Sequence, residues 1–296
     1  MKHHVAFFAV LMSSVVLFWT FLDAVVRLSL GNDRYTHIFV IPLITVCLVL
    51  WNRSAIFVDK RWCPRLALPL LGLVTLLYVT AIRVDQLSLG VFALMTTWTA
   101  GFVLCYGVSI SQVARFPLLL LLLIVPIPPV LMEKIVFLLQ TGSSYFCWVL
   151  FELAGTPVHL SRFTFELPHV GIEVAKECSS IHSAWALFIT GLLVGHFFLW
   201  SFWSKVGLSL LTVPIAVFTN GIRIFTIWFL GTHVDSGFLS GNLHRQGGIL
   251  FSLISLSVLL ACVALLRKIE KRTLRTPRIQ AGAAGGPEAA AASSHT

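Results

Sequence analysis

The chain has 296 residues, of which 57% are hydrophobic and 11% charged, and a formal net charge of +9. A soluble domain carries roughly 25% charged residues, so a water-facing globule is excluded, and apolar runs that recur from residue 5 to residue 266 read as one membrane domain. The positive balance does not point to nucleic acid, because no basic helix face or aromatic–basic repeat accompanies it.

A membrane span needs about 20 apolar residues to cross roughly 30 Å of hydrocarbon. Eight runs qualify: 5–22, 37–51, 66–82, 87–108, 113–132, 179–200, 206–230 and 247–267. The first follows Lys2 and is not succeeded by a small-x-small cleavage site, so it reads as a retained helix rather than a signal peptide. The fifth carries Pro126, Pro128 and Pro129 near its end. With the N-terminus inside, eight crossings put four basic regions on the cytoplasmic side, as the positive-inside rule predicts. These are the loop holding Arg53, Lys60, Arg61 and Arg65, the turns at Arg115 and Lys205, and the tail from Arg267 to Arg278.

The same alternation leaves 23–36, 83–86, 133–178 and 231–246 outside the cytoplasm. Within the long outer segment, residues 133–153 are expected to form an amphipathic or re-entrant helix at the interface, with Gly142, Ser143 and Ser144 near its middle. Residues 157–175 alternate β-branched and aromatic side chains and are broken by Pro168 and Gly171, which predicts a β-hairpin just before the sixth span. The expected fold class is therefore an all-α polytopic membrane protein of about eight helices with a small extracytoplasmic hairpin. Its membrane domain covers 1–267, followed by a basic, then Ala/Gly-rich disordered cytoplasmic tail at 268–296.

Six cysteines are present and no two are spaced CxxC, which argues against a zinc ribbon or thioredoxin-like motif. Most lie in apolar stretches; Cys178 instead lies in Glu177-Cys178-Ser179-Ser180, at the outer start of the sixth span. A helix start favours an anion and can lower a thiol pKa. Cys178 thus reads as a nucleophile, or else as a packing residue in a polar cap. Arg223 lies 17 residues beyond Val206, about 25 Å along a helix, in the outer third of the membrane. It is either held for function, with Asn220 three residues earlier on roughly the same face, or snorkels to the interface. His244 is either a proton-transfer group or a loop histidine, with Arg245 a competing source of charge stabilisation. Topology brings Cys178, Arg223 and His244 to one non-cytoplasmic level, a plausible acyl-transfer constellation. His182 is an alternative base or a polar lining residue, and His37 either lines the same site or anchors the second span at the interface. No three histidines have ligand spacing, and GxSxG and paired intramembrane aspartates are absent. Metal, serine and aspartyl proteolysis are disfavoured, and no cofactor is expected.

Seven segments in order resemble the exosortase/archaeosortase family: 35–43, 122–129, 138–144, 153–158, 174–187, 213–224 and 244–251. The resemblance implies that Cys178, Arg223 and His244 are the catalytic cysteine, arginine and histidine, with Asn220, His37, Ser179 and His182 lining or supporting the site. Where the family often has Cys-Ser-Gly and an arginine after the next aliphatic residue, this chain has Ser180 and His182. The resemblance further implies a cysteine peptidase or transpeptidase in the bacterial inner membrane, its active site facing the periplasm. Its substrates would be membrane-anchored proteins carrying a C-terminal sorting signal: a motif such as Pro-Glu-Pro, a transmembrane helix and a basic cluster. Transfer to a cell-surface acceptor and a link to exopolysaccharide machinery are implied as well. Two other readings come from different classes. One is a transporter or lipid-linked glycan flippase, supported by polar residues in helices and the Pro-broken fifth span. The other is a non-catalytic assembly factor for polysaccharide export.

Overall fold

A computed structural model describes the backbone of residues 2–57, 61–161, 163–166, 171–173, 181–235 and 248–283. The protein is an all-α polytopic membrane protein with one small sheet. Among the described residues, seven helices are long and apolar enough to cross a membrane, and a bent helix pair, counted as one span, brings the number to eight. The chain divides into two compact units, Met1–Lys134 and Ile135–Thr296.

The first unit begins with the bent pair, α1 (Lys2–Leu17) and α2 (Trp19–Gly31), which meet at 76°. The bend has local causes. Ser13 and Ser14 donate their hydroxyls back to the carbonyls of Val10 and Leu11, a pattern that bends helices. Phe18 is fully buried at the corner against Tyr78, whose hydroxyl donates to the Leu17 carbonyl at 3.4 Å. The outer loop expected at 23–36 is therefore largely helix α2, because nothing before Gly31 breaks it and Asp23 pairs with Arg27 one turn on.

Next come α3 (His37–Trp51), α4 (Arg53–Ile56), α5 (Pro64–Val84) and α6 (Leu87–Tyr106). Helix α5 opens on a proline, which costs no hydrogen bond at a first position. Helix α6 ends at Gly107, where φ is +89° and an added Cβ would meet the Arg61 carbonyl oxygen at 3.0 Å. Helices α1, α2 and α5 pack on α6, whose Val91, Leu94, Met95 and Phe102 form the centre of this unit.

Two expectations change after α6. The run at 113–132 does not span. It folds as α7 (Val108–Val113), α8 (Arg115–Leu120) and a 3-10 turn at Leu121–Ile124. Residues 115–124 make only about 15 Å of helix, half of what a crossing needs. Pro126, Pro128 and Pro129 end the helix, since the residue before a proline is pushed to extended backbone, and Val125 has ψ 115°. Pro129 then starts α9 (Pro129–Leu153), which meets the length and hydropathy of a span. The interfacial or re-entrant helix expected at 133–153 is thus one of the seven candidate spans. Its acidic and basic residues, Glu133, Lys134 and Glu152, lie near its ends, and none falls between 135 and 151.

In the second unit, the predicted hairpin is a three-stranded antiparallel meander of β1 (His159–Ser161), β2 (Thr164–Glu166) and β3 (Gly171–Glu173). Phe165 pairs with Leu160 on one side and Ile172 on the other. Three long helices follow: α10 (Ile181–Phe198), α11 (Phe202–His233) and α12 (Gly248–Ala283). They pack pairwise around Leu187, Leu208, Ile215 and Leu259. The helix of the last span continues past 267 to Ala283, so the basic segment of the tail is helical that far. Residues 284–296 lie outside the described ones.

Candidate functional site

Helix α11 is placed by close approaches. An added Cβ on Gly221 would lie 2.6 Å from Phe146 and 3.2 Å from the Ser143 carbonyl oxygen of α9. One on Gly191 of α10 would lie 2.8 Å from Thr212. Small residues let helix backbones approach in a membrane, where no hydrophobic drive separates protein from lipid tails. The Gly142-Ser143-Ser144 group therefore serves a helix crossing: Ser143 and Ser144 are buried, and Gly142 faces Val217.

The residue before Gly221 is Asn220, which is 3% exposed, and half-buried Arg223 follows three positions later. Both line a narrow cleft between α10, α11 and α12. Helix α10 contributes Ser183 and Leu187; α12 contributes Phe251, Ser252 and Ser255. The free space is about 20 Å³, room for a single water. Behind the cleft, the buried Thr219 hydroxyl donates to the Ile215 carbonyl. That leaves its oxygen to accept from Ser255 Oγ at 2.8 Å, a bond that ties α11 to α12. The arrangement presents a guanidinium and a carboxamide in an almost dry setting, where donors aimed at a developing negative oxygen act far more strongly than in water.

One turn beyond Arg223 the environment becomes aromatic. Phe151 of α9 meets Trp228 of α11 edge-on, with ring centroids 4.7 Å apart, and Phe165 of β2 at 5.2 Å. Phe151 and Phe165 are both fully buried. Edge-to-face aromatic pairs add to the burial of their large apolar area. This core fixes the meander on α9 and α11, and the last strand ends five residues before Cys178 in the sequence.

The sequence-predicted residues fare differently. Arg223 and Asn220 share the cleft. His182 is exposed on the first turn of α10, while Ser183 beside it lines the cleft. His37 starts α3 in the first unit. Cys178, Ser179 and His244 lie outside the described residues, as does Arg245. Among the described residues, no three metal-binding side chains converge. Thr219, Ser183, Ser252 and Ser255 were not singled out from the sequence, although Ser255 interrupts an apolar run, which is itself a signal inside a membrane.

A family model described as transmembrane exosortase matches residues 27–261. The chain belongs to the transmembrane exosortase family. The match takes in both units and every helix from α3 to α11. Searches of curated proteins and of solved structures found no match.

Proposed function

We propose that this exosortase is a membrane-embedded cysteine peptidase or transpeptidase, with Cys178 as nucleophile, Arg223 as oxyanion donor and His244 as proton carrier. The observation that carries the reading is the cleft. It lies between α11, which holds Arg223, and the first turns of α10 and α12. Cys178 precedes the first residue of α10 by three positions, and His244 precedes that of α12 by four. Three residues of chain reach at most about 11 Å. The Cys178 thiolate attacks the substrate carbonyl, and Arg223 and Asn220 hold the negative oxygen that forms. Collapse to the thioester expels the amine, which leaves with a proton from His244. Water or an external nucleophile then attacks the thioester, gives its proton to His244 and expels the Cys178 thiolate, which restores the starting thiolate–imidazolium pair. Ser179, His182 and His37 are proposed as supporting residues.

The substrates in this reading are membrane-anchored proteins with a C-terminal motif, a helix and a basic cluster. Alternation of eight spans, with α9 in place of 113–132, keeps Arg53, Arg115, Lys205 and the basic tail on one side of the membrane. It brings the starts of α10 and α12 to the other side. Positive-inside bias then supports an inner-membrane protein whose site faces the periplasm. Exported substrates of an exopolysaccharide system fit that location. The transport reading drew on a Pro-broken fifth span, and the prolines at 126–129 interrupt no described span.

The test is co-expression of a tagged substrate of that form with wild type, Cys178→Ala, Arg223→Gln and His244→Ala at matched membrane levels. Wild type should shorten the substrate and each variant should leave it full length. Unimpaired processing by Cys178→Ala contradicts the assignment.

A further inference from the structure

A second depression lies at the far end of the helices that form the cleft. On α10 the cleft residues Ser183 and Leu187 give way to Val194 and Phe198, a travel of about 22 Å from Ser183 to Phe198 at helical rise. Together with Leu260, Val263 and Ala264 of α12, these last two form the wall of a groove of about 580 Å³. Its mouth is cationic: Arg267, Lys268, Lys271 and Arg272 all border it. The Arg267 guanidinium lies 5.7 Å over the Phe198 ring, within cation–π range.

The acid in this segment, Glu270, does not border the groove. The carboxylate of Glu270 is 9% exposed and accepts from the backbone N–H groups of Trp200, at 3.1 Å, and Ser201, at 3.0 Å. It is thereby bound to the turn between α10 and α11. Topological orientation asks only that cations lie on one side of the membrane. It does not ask for an apolar trough that leads into them.

We propose that this groove is a binding site for an anionic phospholipid, with one acyl chain along the wall of α10 and α12 and the phosphate among Arg267, Lys268 and Lys271. An apolar channel capped by cations matches the amphipathic shape and charge of such a lipid, and basic pockets between membrane helices hold acidic headgroups. The inference is independent of the chemistry at Cys178.

The test uses the full-length protein in detergent micelles, with phosphatidylglycerol or phosphatidylcholine as probe and native mass spectrometry as readout. Wild type should retain phosphatidylglycerol in preference to phosphatidylcholine. The double variant Lys268→Gln/Lys271→Gln should weaken that retention by about 25-fold, since each cation at a membrane surface adds a roughly fivefold preference. Ala264→Trp, which keeps every charge and fills the groove, should weaken it as well. Arg53→Gln, at the start of α4 in the first unit, should not. Equal retention of the two lipids, or retention unchanged in both groove variants, overturns the proposal. Displacement of phosphatidylglycerol by millimolar inorganic phosphate overturns it too, because the site would then take free phosphate.

Discussion

The two units handle polar groups in opposite ways. In Met1–Lys134, polar side chains that bond across the chain do so in separate places, and Ser29 and Thr45 are buried with no hydrogen-bond partner among the described residues. The Trp98 indole donates to Ser14 Oγ at 2.9 Å, the Tyr35 hydroxyl donates to the Ile127 carbonyl at 3.2 Å, and His4 Nδ1 lies 2.9 Å from the Tyr106 hydroxyl. Each bond joins distant parts of the chain across a packed interior. In Ile135–Thr296, polar side chains gather: Ser183, Thr219, Asn220, Arg223, Ser252 and Ser255 border one cleft. Isolated pairing is what stability asks of a membrane helix bundle. Several polar groups around one small space, including an intramembrane cation, are costly to assemble. In the reading proposed above, the shared cleft of the second unit is where the chemistry takes place.

Substitutions break or sharpen that contrast. The largest effect is expected at Arg223: Arg223→Gln should lower turnover about 10²- to 10³-fold, as loss of an oxyanion donor does. Arg223→Lys should recover only part of it, because a point charge does not reproduce the guanidinium fork. Comparing turnover with apparent KM separates an oxyanion donor from a residue that merely holds substrate, which would shift KM instead. Gly221→Val places a side chain against Phe146 and the α9 backbone. It should cost about 2–3 kcal/mol, the upper range for overpacking, seen as a lowered Tm in detergent. Phe165→Ala removes the ring that seats the meander on Phe151. It should cost about 3 kcal/mol and show itself as faster proteolysis within 154–180 while the helices stay intact. The smallest effect belongs to the first unit. Tyr35→Phe should cost about 1 kcal/mol and leave turnover unchanged; a large loss of activity there would undo the division of labour between the units.

Much of this was legible in the sequence. Low charge and recurrent apolar runs gave the membrane class, and Asn220 and Arg223 stood out as polar groups deep within the seventh run. They do share a cleft. What stayed hidden depends on contacts rather than on windows of hydropathy. The run 113–132 is more apolar than 133–153, yet three prolines deny it a continuous helix, and Pro129 begins the helix that has the length to cross. Gly142, Ser143 and Ser144 were expected near the middle of an interfacial or re-entrant helix, whereas they make room for α11. The Glu270 carboxylate reaches backbone amides 69 and 70 residues away, a pairing that no local pattern signals. The meander needed a third strand because Phe165 is paired on both sides, and periodicity alone does not give strand order.

The most direct test of the central claim is to trap the covalent intermediate. Wild-type protein mixed with a tagged substrate and quenched in acid should give a species of enzyme plus the N-terminal substrate fragment. Neutral hydroxylamine should release it, and peptide mapping should place it at Cys178. The account predicts that this thioester is present in wild type and absent both from Cys178→Ala, which lacks the nucleophile, and from His244→Ala, which cannot protonate the leaving amine. Turnover without any hydroxylamine-sensitive adduct, or an adduct that persists in Cys178→Ala, contradicts it.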